Sequence, residues 1–167
     1  MPPADQGPQP DRYHLIPRVL IFITHDRDVL LLKGAPGKRI WANKYNGVGG
    51  HVERGEDIAS AARREIEEET GLTVNNLRFR GAITIDTGEP SGIGIFVFTA
   101  RSASREVVSS AEGTPEWIPF DRVQSLDLVE DLPTLLPKVL GLADDAPPFF
   151  GRYWYDTEGH LQIEFGN

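Results

Sequence analysis

Cysteine is absent from this chain. That excludes disulfides, thiol nucleophiles and thiolate-bound metal together, and it suits any compartment. Long apolar runs are missing too: no stretch reaches the roughly 18 apolar residues of a membrane span, and no charged-then-apolar leader opens the chain. No membrane partner is expected, and cytoplasm is the expected location. Positive charge is in deficit, with 17 Lys and Arg against 25 Asp and Glu and a net charge of −8. A protein that grips long nucleic acid by its phosphates needs the opposite balance. A small polyphosphate remains within reach of an acidic protein when cations bridge the two sets of negative charge.

What is present is an ordinary globular composition, 40% hydrophobic and 25% charged over 167 residues, enough for one core. Residues 1–12 hold four Pro and almost no apolar mass, which predicts a disordered tail before a single domain over 13–167. Val19–Thr24 and Val29–Lys33 read as a β-hairpin, followed by a Gly/Pro/Lys loop over 34–39 and a glycine-rich turn ending at Gly50. Leu77–Ile85 and Ile93–Ala100 read as strands joined by a turn over 86–92, with a short strand at Glu116–Phe120. Helices are expected at Asp121–Leu126 and Asp131–Leu142, with Pro133 tolerated in the first turn of the latter and a kink at Pro137. A last hairpin spans Phe149–Tyr155 and Leu161–Phe165. Together these predict an α/β fold, a mixed sheet with helices on both sides.

The segment Asp57–Thr70 carries the chemistry. It has helix formers throughout, no Pro, and Gly71 behind it as a C-terminal cap. At helical periodicity Ile58, Ala61, Ala62 and Ile66 share an inward arc, and Glu65, Glu68 and Glu69 project into that same arc. Like charges three and four residues apart destabilise an isolated helix, and partial burial drives carboxyl pKa values upward. A divalent cation, which requires several convergent oxygens, removes both penalties. Most acidic runs are merely solvated helix faces. Here acids and apolar residues share one face, and metal binding explains the arrangement better.

The spacing is also that of a family. Gly50, Glu56, Arg64-Glu65-Ile66, Glu68-Glu69 and Gly71-Leu72 match the full Nudix box without a departure. At roughly 5–7% usage per residue type, seven fixed positions coincide by chance on the order of once in 10⁸ windows. The chain resembles a Nudix hydrolase, which implies an α/β/α sandwich and cleavage of a nucleoside diphosphate linked to a further group. The resemblance implies Mg²⁺, with Mn²⁺ able to substitute, as oxygen-only ligands also suggest. It maps Glu65, Glu68, Glu69 and the Gly50 carbonyl onto the metal site, with Glu65 as ligand or water-activating base. Arg64 is expected to pair with Glu68 or Glu56 and orient the acids. Glu112, in the loop before Trp117, is a further ligand or base, with Glu116 as its competitor.

Within the family, Tyr45-Asn46-Gly47-Val48-Gly49-Gly50 is similar to the entry of diphosphatases acting on oxidised purine nucleoside triphosphates. There the Asn bonds the base, which makes Asn46 the matching residue; Asn-Gly is also a common turn dipeptide. Glu130-Asp131 resemble that subgroup's adjacent acids reading the purine edge, although Val129 replaces an aromatic-Pro pair. Lys33, Lys38 and Arg39 are candidate phosphate contacts, whereas the aromatics of Gly151–Tyr155 are expected to pack. The implied reaction converts a nucleoside triphosphate, such as an oxidised purine dNTP, to monophosphate and diphosphate. The alternatives are cleavage of ADP-ribose or another nucleoside-diphosphate sugar, and a non-catalytic nucleotide-sensing domain. The partner expected is a small nucleotide, and the assembly a monomer or homodimer.

Overall fold

The first two long strands of the computed structural model, β1 (His14–His25) and β2 (Asp28–Gly34), carry runs that are apolar and buried on both faces, over 19–23 and 29–32. Continuous apolar runs of this kind belong to strands covered on both sides. Successive residues of β1 accordingly enter different cores: Leu20 and Phe22 point to one, Val19, Ile21 and Ile23 to the other. The structure describes residues 7, 9, 11–74 and 76–166, so most of the tail expected over residues 1–12 lies outside the described residues.

The remaining elements follow in order. They are β3 (Tyr45–Asn46), β4 (Val48–His51), α1 (Ile58–Thr70), β5 (Arg78–Asp86), β6 (Ser91–Arg101), β7 (Gly113–Pro119), α2 (Leu132–Leu140), β8 (Phe149–Tyr155) and β9 (Leu161–Gly166). Among the described residues the sheet runs β3-β2-β1-β6-β5-β8-β9, with β4 also on β1 and β7 also on β2. The pairs β1/β6 and β5/β8 are parallel and the others antiparallel, so the sheet is mixed as expected. Helix α1 buries Ala61, Ala62 and Ile66 on one face, while α2 buries Leu132, Leu135, Leu136 and Val139 on the other. That is the predicted α/β/α sandwich. Among the described residues no helix is long and apolar enough to cross a membrane.

Two expectations need correction. The helix foreseen at Asp121–Leu126 is only a single 3₁₀ turn, Val123–Ser125, because the chain must return at once to run beside Tyr45. The glycine-rich stretch before the box is not a free turn but the two strands β3 and β4. Glycine is needed there by close packing: a Cβ on Gly47 would sit 2.8 Å from side-chain carbons of both Leu20 and Phe22.

Candidate functional site

Local rules set the helix that carries the acids. Asp57 caps α1 by accepting the Ala59 and Ser60 amide hydrogens, both at 2.9 Å. Gly71 ends it in the left-handed region, at φ 72°, a conformation that costs glycine little. With both ends pinned and the apolar stripe seated on the sheet, the Glu positions are fixed relative to β4.

Glu69 is the buried acid, only 4% exposed. Its Oε2 accepts the Gly49 amide hydrogen at 2.9 Å. Burial pushes its carboxyl up to about 7; the Gly49 bond opposes this, the Glu65 charge adds to it, and Lys38 and Glu112 act on it from the other side with opposite signs. Glu65 is partly buried, and burial raises its carboxyl while Arg64 pulls it back. Gly50 permits the approach of Glu65, because a Cβ there would collide with the Glu65 carboxylate. Glu68 departs from the inward arc predicted for it: its side chain is 60% exposed. The helix sits rotated so that Thr70, rather than Glu68, takes the remaining buried position, its hydroxyl donating back to the Ile66 carbonyl at 2.5 Å.

Arg64 gathers this side of the site. Its guanidinium donates to both Glu56 oxygens at 3.1 and 2.7 Å, to Glu65 at 2.8 Å, to Glu68 at 3.2 Å and to the His51 carbonyl at 3.0 Å. These carboxylates hold the guanidinium protonated, its pKa raised above the usual arginine value, chiefly by Glu56. Across from α1, Glu112 is ion-paired with Lys38 at 2.5 Å and lies close enough to act on the Glu69 carboxyl. Its competitor Glu116 is engaged elsewhere, accepting the Tyr45 hydroxyl hydrogen at 2.9 Å.

Among the described residues no three acidic or histidine side chains converge tightly enough to ligate one ion. Arg64 draws on Glu65 and Glu68, and the Gly49 amide on Glu69. The chemistry of the donors nonetheless fits a hard divalent cation: they are all oxygens, and the buried Glu69 has one neutral donor for a full charge.

Beside Gly49 and Gly50 opens a cavity of about 150 Å³. The backbone explains its lining. Tyr45 takes a hydrogen bond from Val129 N–H at 3.0 Å and gives one to the Asp127 carbonyl at 2.9 Å, which draws Glu130 and Asp131 up to Asn46. All three line the cavity. The Asn46 Oδ1 accepts the Gly47 amide hydrogen at 2.8 Å, so its carbonyl serves the turn while its amide NH₂ is left for other partners. Burial raises the Asp131 carboxyl, and the neighbouring Glu130 charge adds to this.

Sequence reasoning missed Arg18, Trp41, Tyr153 and Tyr155, which also line this cavity. Tyr153 and Tyr155 are two apart on β8 and so share a face, a period that marked them together. The expectation that these aromatics merely pack holds only in part. Tyr153 stands edge-on to Phe165 at 6.3 Å, but its buried hydroxyl has no partner among the described residues. Tyr155 donates to Glu130 at 3.3 Å. Of the expected phosphate contacts, Lys33 lies over the Tyr45 ring at 5.6 Å, Arg39 is exposed on its loop, and Lys38 faces the acids.

Comparisons with known proteins agree with this geometry. The NUDIX domain family matches residues 14–139. An oxidized purine nucleoside triphosphate hydrolase of Mus musculus is 33% identical over 124 residues, 71% of this chain and 78% of the relative. The protein of the same name in Danio rerio is 37% identical over 105 residues, 62% of this chain and 66% of the relative. The crystal structure of the Bacillus halodurans mutator MutT protein superposes with a TM-score of 0.73 at 26% identity, covering 90% of this chain and 97% of the other. An intact box on a capped helix, a mixed sheet covered on both faces and these relatives make the chain a member of the Nudix hydrolase family, enzymes that cleave nucleoside diphosphate derivatives.

Proposed function

We propose that the protein hydrolyses a nucleoside triphosphate to its monophosphate and diphosphate with Mg²⁺, and that a purine base, oxidised or not, occupies the small cavity. One observation carries this reading: the buried, under-partnered Glu69 carboxylate borders the same glycines that wall a cavity lined by Asn46, Glu130 and Asp131. The names of the mouse and zebrafish relatives support the same substrate class.

Glu65, Glu68, Glu69 and the Gly50 carbonyl would hold the cation, with Glu112 completing the set once released from Lys38. Bound there, Mg²⁺ or Mn²⁺ supplies charge neutralisation on phosphoryl oxygens and a more acidic water. The chain's own work is positioning. Arg64 keeps Glu65 and Glu68 oriented from below, a task in which a planar fork of donors outperforms a point charge. Lys38 can exchange Glu112 for a phosphate oxygen, and Lys33 and Arg39 extend positive charge along the same side. Glu65 or Glu112 takes the proton of the attacking water.

In the cavity the Asn46 amide NH₂, the unpartnered Tyr153 hydroxyl and the Glu130 and Asp131 carboxyls offer both donors and acceptors to a base edge. The active assembly is a monomer or homodimer in the cytoplasm, with no membrane or long nucleic acid as partner. Product analysis tests the reaction. Purified protein with Mg²⁺ should release diphosphate and monophosphate from canonical or oxidised purine dNTPs. Release of AMP and ribose 5-phosphate from ADP-ribose, with no diphosphate from any dNTP, would instead assign a diphosphosugar reaction. No turnover of either class would leave only a nucleotide-sensing role.

A further inference from the structure

A second cavity, of about 590 Å³, lies away from the one beside the box. It opens under the C-terminal end of α2, and its wall includes Thr24, which lies about 13 Å along β1 from Leu20 at ordinary strand rise. Three arginines converge on it: Arg78 and Arg80 from β5 and Arg101 from the end of β6. In a chain of net charge −8 this is a local reversal. Asp26 and Asp144 are the acids in the same wall, and His25 adds a titratable ring whose Nδ1 lies 2.8 Å from the Ser102 carbonyl.

The most buried of the three is incompletely satisfied. Arg80 is 4% exposed, and it donates to the carbonyls of Ala143 at 2.7 Å and Asp144 at 3.5 Å. Its Nε hydrogen, however, has no partner among the described residues. Burying an arginine with an unmade bond carries a cost that an anion at that point would remove. The sheet is irregular at this residue: the β5/β6 register shifts between Phe79 and Gly81, leaving Arg80 as the extra residue of a bulge. Bulges of this kind re-aim a side chain, often beside functional sites. Arg78 also donates to the Asp144 main-chain carbonyl at 2.9 Å, but the Asp144 carboxylate stands at long range from the other two arginines, 3.6 Å from Arg78 and 3.4 Å from Arg101.

We propose that this cavity is a second anion site, which takes the phosphoryl group of a small phosphorylated molecule, with Asp144 as the weak internal anion it displaces. Planar guanidinium forks match phosphate oxygens in pairs, and three of them exceed what one carboxylate can use. The volume suits a nucleotide-sized ligand as well as free diphosphate. The site is independent of the hydrolytic reading, since none of its residues touches the box acids.

The test uses metal-free protein in EDTA, so that the box cannot hold phosphates through a cation. Inorganic diphosphate and ADP are titrated separately while the Arg Nε–Hε signals are followed by NMR. The Arg80 signal should move saturably with either probe; tighter binding of ADP assigns the site to a nucleotide tail, equal binding to the free anion. The double variant Arg78→Gln/Arg101→Gln changes two side chains that are 47% and 69% exposed, so the core is untouched. It should weaken binding by about tenfold or more, as expected for losing charge-assisted bonds. Asp144→Asn should tighten it. An unmoved Arg80 signal at millimolar diphosphate, double-variant affinity equal to that of the parent, or weaker binding by Asp144→Asn would each overturn the proposal.

Discussion

Replacing Glu69 by Gln should make the metal-free protein more stable and the enzyme nearly inactive, two effects of opposite sign from one side chain. Glu69 is buried against the sheet with a single neutral donor, the Gly49 amide at 2.9 Å. Burial is the main cause that lifts its carboxyl from 4.5 to about 7. A carboxyl raised on folding contributes no penalty while protonated, and stability is lost as pH rises from the unfolded value through the folded one. Above pH 7 the ionised Glu69 therefore costs the metal-free fold on the order of 3 kcal/mol. Gln keeps the oxygen that accepts from Gly49 and never ionises. Thermal unfolding in EDTA at pH 8 should show Glu69→Gln melting several degrees higher, by about 5 °C or more for a domain of this size. The gain should vanish near pH 4.5, where the parent side chain is itself protonated. Added Mg²⁺ should stabilise the parent and not the variant, and turnover should fall by roughly 100-fold or more. A lower melting temperature at pH 8 in EDTA, or parental turnover, would refute the reasoning.

Arg64→Lys keeps the charge but loses the fork that engages Glu56, Glu65, Glu68 and the His51 carbonyl, so the Mg²⁺ concentration for half-maximal rate should rise by about 10–100-fold. A metal titration of initial rates checks this, and an unchanged midpoint would contradict it. Tyr153→Phe removes a buried hydroxyl with no internal partner, so the unliganded fold should melt at or above the parental temperature while KM for a purine dNTP rises. Asp131, raised by burial, should respond to pH in the same sense as Glu69. Asp131→Asn should stabilise the protein above the raised Asp131 value, with the difference closing as pH falls towards the ordinary 3.8, read from paired melting curves.

Much of this was legible in the chain because the relevant signals are local. The capped helix follows from Asp57 and Gly71, and the two-sided sheet from the unbroken apolar runs of β1 and β2. The pairing of Arg64 with Glu56 and Glu68 follows from helical spacing and the preceding loop. What stayed hidden depends on long-range placement. Periodicity projects Glu68 into the inward arc, yet in the folded protein its side chain is 60% exposed. Arg18 and Trp41 carry no local mark of a cavity; β1, the segment before β3 and the chain around Glu130 come together at it only in the fold. The arginine-lined cavity joins residues from β5, β6 and the chain after α2, a convergence no window of sequence contains.

The most direct measurement is Mn²⁺ binding by electron paramagnetic resonance, comparing the parent with Glu65→Gln/Glu68→Gln/Glu69→Gln. Saturable loss of the free Mn²⁺ signal in the parent, deepened by a non-hydrolysable nucleoside triphosphate and abolished in the triple variant, is the predicted result. Equal Mn²⁺ uptake by the two proteins, or none by either, would contradict the claim that these acids from α1 hold the cation that grips the phosphates.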